Sequence, residues 1–279
     1  MPIISFWSSG SEHAGKTLSI AAIATYMAIE HNYRILVIST DYNKKDIENC
    51  FWKEQKRKIS FGLFGPNTSV GLDDGVEGLM KIMKSNKLSP ELIKDYTRIV
   101  FKDRLEVLPS FKGSYSEYAE IKRKYSDVVN LANGYYDLVL VDLSEHLEDD
   151  TIQNILNDSN LIIANISQRL SSIDTFMANR EKNKILNTPK TLILVNRFDK
   201  YSKYTAKNIS RYMKEKNLVS TIPYNTLFFE ACEEAQVPDL FLKLRRIKDT
   251  TDRNAFFMQE IKRTVENITY RLQDLRKEG

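Results

Sequence analysis

Eight residues near the start of the chain restrict its architecture more than any other feature. Gly10-Ser11-Glu12-His13-Ala14-Gly15-Lys16-Thr17 has the form G-x-x-x-x-G-K-T. Before it stands a short apolar, β-rich run, Ile3-Ile4-Ser5-Phe6-Trp7. After it, Leu18 to Ile29 is rich in Ala, Ile, Leu and Met and reads as a helix packed on most sides. Arg34-Ile35-Leu36-Val37-Ile38-Ser39 follows as a second buried strand, so the order strand, loop, helix, strand opens a βαβ unit of a parallel sheet. Each fixed residue then has a physical task. The glycines let successive backbone N–H groups curl toward a phosphate, reinforced by the positive end of the following helix. Lys16 would contact β- and γ-phosphates, and the Thr17 hydroxyl would ligate Mg²⁺. The bland alternative is a chance Gly-Lys-Thr in an ordinary turn, and the strand–loop–helix context speaks against it.

Composition narrows the class. A chain of 279 residues, 42% hydrophobic and 28% charged, fits one large domain or two small ones. With only 10 Gly and 7 Pro, long flexible linkers and low-complexity classes are excluded. Cys50 and Cys232 cannot staple a fold of this size, and no Cys/His cluster suggests zinc. The longest apolar runs are strand-sized, far short of the roughly 20 residues of a membrane span. No basic stretch leads into a long apolar run at the N-terminus, so the expected compartment is a reducing cytoplasm. A net charge of +4 permits nucleic acid or acidic lipid without demanding either.

The remaining elements continue the α/β pattern. Residues 43–58 are polar and compatible with a helix ending in Lys53-Glu54-Gln55-Lys56-Arg57-Lys58, and Gly62, Gly65, Gly71, Gly75 and Gly78 mark a loop-rich insertion. Leu105 to Leu108, stopped by Pro109, reads as a strand. Apolar residues at Ile121, Tyr125, Val128, Val129 and Ala132 predict a helix from Tyr118 to a left-handed stop at Gly134. Leu138-Val139-Leu140-Val141-Asp142 is a buried strand ending in a carboxylate, on the sheet edge where α/β proteins bind ligands. With a phosphate loop present, Asp142 reads as the acid that reaches Mg²⁺ through water; the alternative is a helix-capping or turn aspartate. Leu161 to Ala164, Leu192 to Val195 and Leu218 to Ile222 supply further strands. The fold class expected is a single doubly wound, mostly parallel sheet flanked by helices, one domain over 1–279 whose residues 253–279 form a C-terminal helix.

Several segments together resemble the MinD/ParA group of P-loop ATPases across nearly the whole chain. They are the phosphate loop, Ser39-Thr40-Asp41, Tyr136-Asp137-Leu138-Val139-Leu140-Val141-Asp142, Asp158-Ser159-Asn160-Leu161-Ile162-Ile163, Leu194-Val195-Asn196-Arg197 and Thr221-Ile222-Pro223-Tyr224-Asn225. The resemblance implies ATP and Mg²⁺ as cofactors. It places Gly10, Ser11, Glu12, His13, Ala14, Gly15, Lys16, Thr17 and Leu18 around the phosphates. Asn196 would hydrogen-bond the adenine edge, Arg197 would also be a cofactor-binding residue, and Pro223 and Asn225 would supply the loop beside the base. Lys16, Asp41 and Asp142 would be the catalytic set, with Thr17 on Mg²⁺ and Asp142 and Asp41 reaching it through water. Asn196 reads equally well as a strand-end turn residue.

The departures from the family pattern point to slow turnover. Ser11 stands where the family carries a second lysine that reaches the partner's nucleotide in its ATP-bound dimers, and Glu12 and His13 replace two glycines. Ser39 replaces the first aspartate of an Asp-x-Asp pair, and Leu143-Ser144-Glu145-His146 replaces a Pro-Pro-Gly-type switch. A missing cation removes charge stabilisation at the transferring phosphoryl group. His13 reads as a solvent-facing loop residue, with a cation beside phosphate as the alternative. Such an atypical loop is most like that of the tight-adherence pilus positioning ATPases. The function implied is an ATP-dependent dimer switch that positions a larger assembly, such as a pilus or secretion apparatus, through a protein partner. The alternatives are a nucleotide-binding scaffold with little hydrolysis and a DNA-partition ATPase. Phe257, Ile261, Val265, Ile268, Leu272 and Leu275 form an apolar seam that reads as packing, with a peripheral membrane helix as the alternative. Nonspecific DNA contact would use Lys56, Arg57, Lys58, Arg245, Arg246 and Lys248. Because Lys16 lies in a loop and serves the ligand, its removal is expected to leave the fold intact.

Overall fold

The computed structural model describes residues 1–9, 14–42, 45–53, 75–83, 89–247, 249 and 251–278. Gly10, Ser11, Glu12 and His13, the basic run Lys56-Arg57-Lys58, Gly62, Gly65, Gly71 and Lys248 lie outside the described residues.

The apolar runs become strands because each alternates between two covered faces. The strands are β1 (Ile3–Ser8), β2 (Ile35–Ser39), β3 (Arg98–Phe101), β4 (Leu105–Leu108), β5 (Leu138–Asp142), β6 (Leu161–Ser167), β7 (Thr191–Phe198) and β8 (Ser220–Pro223). They form one sheet in the order β3-β4-β2-β5-β1-β6-β7-β8, parallel throughout except for the antiparallel β3–β4 pair. The helices are α1 (Lys16–Glu30), α2 (Asp46–Asn49), α3 (Val76–Met83), α4 (Tyr115–Ile121), α5 (Tyr125–Asn133), α6 (Asp150–Asp158), α7 (Leu170–Lys182), α8 (Ala206–Tyr212), α9 (Thr226–Glu233), α10 (Val237–Leu244) and α11 (Arg253–Glu278). Leu36, Ile38, Val139, Val141, Ile162 and Ala164 face the layer containing α3 to α8. Ile35, Val37, Leu138, Leu140, Leu161, Ile163 and Leu194 face the layer of α1, α9, α10 and α11. Burial on both faces explains why these strands read as continuous apolar runs. The doubly wound, mostly parallel sheet is therefore present.

Three sequence expectations change. The helix ending near residue 134 is two helices, α4 and α5, joined by a 3₁₀ turn at Lys122–Lys124. A capping box at Ser114, with Glu117 three residues on, starts α4 earlier than the apolar periodicity indicates. Gly134 is not left-handed: its φ is −76°. The position instead has no room for a side chain, since a Cβ would stand 2.8 Å from Pro90 Cγ. Of the polar stretch 43–58, the described part is helical only over Asp46–Asn49.

The C-terminal seam is consumed by packing. Phe257, Ile261, Val265 and Ile268 are fully buried, and α11 lies on β8, α1 and α10. Thr264 Oγ1 donates to Thr221 O at 3.0 Å and Asn267 Nδ2 to Ser220 Oγ at 2.8 Å, tying the helix to the last strand. Leu272 and Leu275, at the far end of the seam, are partly buried against the same layer. Among the described residues no helix is long and apolar enough to cross a membrane.

Candidate nucleotide site

The central strand β1 pairs with β5 on one side and β6 on the other, and successive strands leave it in opposite directions. The carboxyl ends of the strands at such a reversal leave a crevice. Here a cleft of about 620 Å³ opens at that edge. Its lining includes Ser8, Gly15, Lys16, Thr17, Asp41 and Arg197.

Gly15 is the residue that makes the turn. Its φ of +71° lies in the left-handed region, where a side chain is strained, and it precedes the first turn of α1. A Cβ there would also stand 3.4 Å from Asn196 Cβ and 3.9 Å from Arg197 Nε, so β7 closes over Gly15. Arg197 reaches Gly15 because it is itself left-handed, with φ +52°, at a register shift between Asn196 and Phe198. The bulge turns its side chain away from the alternation of a regular strand.

Lys16, Thr17 and Asp142 form one cluster. Lys16 Nζ lies 2.7 Å from Asp142 Oδ1 and also donates to the Leu143 carbonyl. Thr17 Oγ1 donates to Asp142 Oδ2 at 3.1 Å. Asp142 is only 2% exposed. Burial is the largest influence on its carboxyl and raises its pKa; the Asp41 charge adds to the rise, while Lys16 and Thr17 oppose it. A buried carboxylate next to a cation and a hydroxyl suits a divalent metal, which would supply the counter-charge if Lys16 moved to a phosphate. Thr40 joins the ends of β2 and β5: its N–H donates to Asp142 O at 2.9 Å and its carbonyl accepts from Tyr118 Oη at 2.6 Å. This holds the neighbouring Asp41 at the cleft wall.

Beside the phosphate end is a narrow slot of about 40 Å³ whose lining includes Leu18, Asn196, Pro223, Asn225 and Phe228. Asn196 Nδ2 donates to Asn165 Oδ1 at 2.8 Å, while Asn196 Oδ1 is buried with no hydrogen-bond partner among the described residues. An orphaned buried acceptor costs about 1–3 kcal/mol, so a ligand donor here would relieve a standing penalty. Asn225 lines the slot with its amide already engaged. Its Oδ1 caps α9 at Phe228 N, 2.9 Å, and its Nδ2 donates to Asn254 Oδ1 at 2.8 Å.

Ala14 to Leu18, Asp41, Asp142, Asn196, Arg197, Pro223 and Asn225 thus meet at one sheet edge. Sequence reasoning missed the α2 side of the cleft, including Asp46, Asn49, Trp52 and Lys53, because no motif marks it. It also missed that the two cysteines, far apart in sequence, meet there. Their mutual hydrogen bond, followed by burial, pushes the Cys232 thiol pKa well above its ordinary value. Of the described cations suggested for DNA, Arg245 is paired with Glu30 at 2.7 Å.

No curated protein matches the chain. Solved structures match its fold over almost its full length. A ParA family ATPase from Chlorobium tepidum TLS aligns with a TM-score of 0.66 at 16% identity, covering 87% of this chain and 92% of its own. A MinD septum site-determining protein from Pyrococcus horikoshii OT3, complexed with Mg-ADP, gives 0.64 at 16% over 96% and 97%. A plasmid partition protein from Borrelia burgdorferi B31, bound to AMPPNP, gives 0.60 at 19% over 98% of each chain. The model of the CobQ/CobB/MinD/ParA nucleotide binding domain matches residues 6–238, from inside β1 into α10. The chain belongs to that CobQ/CobB/MinD/ParA nucleotide-binding family, and its fold is the one shared by the ParA and MinD structures.

Proposed function

We propose that the chain, acting as one unit over 1–279, binds ATP·Mg²⁺ in this cleft and hydrolyses it slowly. Its nucleotide state would control self-association and, through a protein partner, the position of a larger assembly such as a pilus or secretion apparatus. The observation that carries the nucleotide reading is the Lys16–Asp142–Thr17 cluster beside the left-handed Gly15, at the sheet edge next to an orphaned acceptor on Asn196. Lys16 and the backbone from Gly10 to Leu18 would hold the phosphates. Thr17 would hold Mg²⁺, with Asp142 and Asp41 on its water shell, and Arg197 and Asn196 would border the adenosine. Bound Mg²⁺ supplies charge neutralisation at the phosphates. Meanwhile Asp142 fixes Thr17, and Thr40 keeps Asp41 at the rim.

Slow turnover is favoured by Ser11, which lacks the charge that a lysine would bring to a triphosphate; charge-assisted hydrogen bonds are roughly twice as strong as neutral ones. The same substitution supports a second reading, a scaffold that binds nucleotide with little hydrolysis. Sedimentation without nucleotide, with ADP·Mg²⁺ and with ATP·Mg²⁺ separates the two. A dimer formed with ATP alone, and strengthened by Ser11→Lys, supports the switch. An association state indifferent to nucleotide supports the scaffold.

A further inference from the structure

Three buried polar side chains from separate parts of the sequence meet between α1, β6 and β7: Ser19, Asn165 and Asn196. Asn165 is almost wholly buried and does not border the nucleotide cleft or the slot. Its Nδ2 donates to two backbone carbonyls, Trp7 O at 3.2 Å and Ile163 O at 3.1 Å. Its amide therefore has one satisfactory orientation, because the opposite one sets an oxygen against two oxygens. The oxygen left on the other side accepts from Asn196 Nδ2 at 2.8 Å, and Ser19 Oγ stands 3.0 Å from it while sharing its one proton with the Lys16 carbonyl at 2.6 Å. Asn196 must present its NH₂ group to that acceptor, so its own oxygen is the atom left in the slot wall without a partner among the described residues.

We propose that Asn165 is a positioning residue for base selectivity, locking the Asn196 amide so that an acceptor alone meets the base and a 6-aminopurine is selected over a 6-oxopurine. The inference rests on the nucleotide reading above and adds the source of its specificity. A 6-amino group donates to the free Asn196 oxygen, whereas a 6-oxo group opposes it with a second acceptor. The lock is a relay: β1 and β6 carbonyls orient Asn165, Asn165 orients Asn196, and Asn196 reads the base.

The test is calorimetric titration of the full chain with ATP, ITP and inorganic tripolyphosphate, each with Mg²⁺. For the wild type, ATP should bind at least about tenfold more tightly than ITP, because a site built around one hydrogen bond rejects the analogue that lacks it. In Asn165→Ala the Asn196 amide is released to present either end. ATP affinity should fall, ITP affinity should rise, and their ratio should approach one, with tripolyphosphate affinity unchanged. A rise in ITP affinity is not what a merely damaged site produces. Asn165→Leu, closer in volume, guards against collapse of the alanine variant, and the wild-type ratio stands as a test of its own. Equal binding of ATP and ITP by the wild type overturns the inference and leaves the nucleotide site standing. A preserved preference in a variant that binds tripolyphosphate normally also overturns it. A wild type that binds none of the three overturns the nucleotide reading itself and this inference with it.

Discussion

Lys16→Met should destabilise the nucleotide-free protein, contrary to the expectation that a phosphate-loop lysine serves only its ligand. In the structure its ammonium neutralises a carboxylate whose side chain is 3% exposed, and the lysine side chain is itself only 11% exposed. Removing one member of a buried ion pair costs about 3–5 kcal/mol, because the other is left as an uncompensated charge. Among the described residues, the side-chain hydrogen bond then left on Asp142 is from Thr17 Oγ1. At about 2 °C per kcal/mol for a chain of this size, the loss is roughly 6–10 °C in Tm. The double variant Lys16→Met/Asp142→Asn should recover most of it, since it removes both charges and keeps the volume. The pH dependence has a definite sign. Burial already raises the Asp142 pKa, and losing Lys16 raises it further. The folded variant then binds a proton more tightly than the unfolded chain. The penalty is therefore fully present above the folded-state pKa and fades as pH falls through it. Urea unfolding in chelator, at about pH 7.5 and about pH 5, measures both effects. A single variant as stable as wild type at the higher pH, or a double-mutant coupling near zero, refutes the reasoning.

Gly134→Ala should destabilise by about 1–3 kcal/mol although its backbone is ordinary right-handed helix, because the new methyl overlaps Pro90; a stabilised variant in thermal melts would show that Pro90 yields. Asn225→Ala should cost about 1 kcal/mol or more, since α9 loses its N-cap and Asn254 loses a buried partner. Unfolding of that variant against wild type checks it, and an unchanged Tm contradicts it. Asp142→Ala should weaken ATP binding more in Mg²⁺ than in chelator, because its proposed role acts through the metal's water shell; equal losses in paired titrations would mark a strand-end residue with a structural role.

The sheet was largely legible because its strands are buried on both faces and so appear as uninterrupted apolar runs. The edge strand β3 was not: Arg98-Ile99-Val100-Phe101 has only four residues, Ile99 is exposed, and its pairing is antiparallel to the rest. Lys16, Thr17 and Asp142 could be placed together because a motif and a strand end carry a defined geometry. Their mutual ion pair could not, since a motif records what a residue does for a ligand and not its partner without one. Asn165 and Ser19 gave no signal, because their contact joins residues 146 positions apart and neither type is unusual where it stands. Arg197 was placed at the site by resemblance alone; the left-handed bulge that turns it over Gly15 is a tertiary feature without a glycine to announce it.

The most direct test of the account is titration of ATP·Mg²⁺ into the wild type and into Lys16→Met/Asp142→Asn. The account predicts one site per chain in the wild type and loss of that site in the double variant, which should remain folded because both buried charges are gone together. Undiminished binding by the folded double variant, or no binding by the wild type, would contradict it.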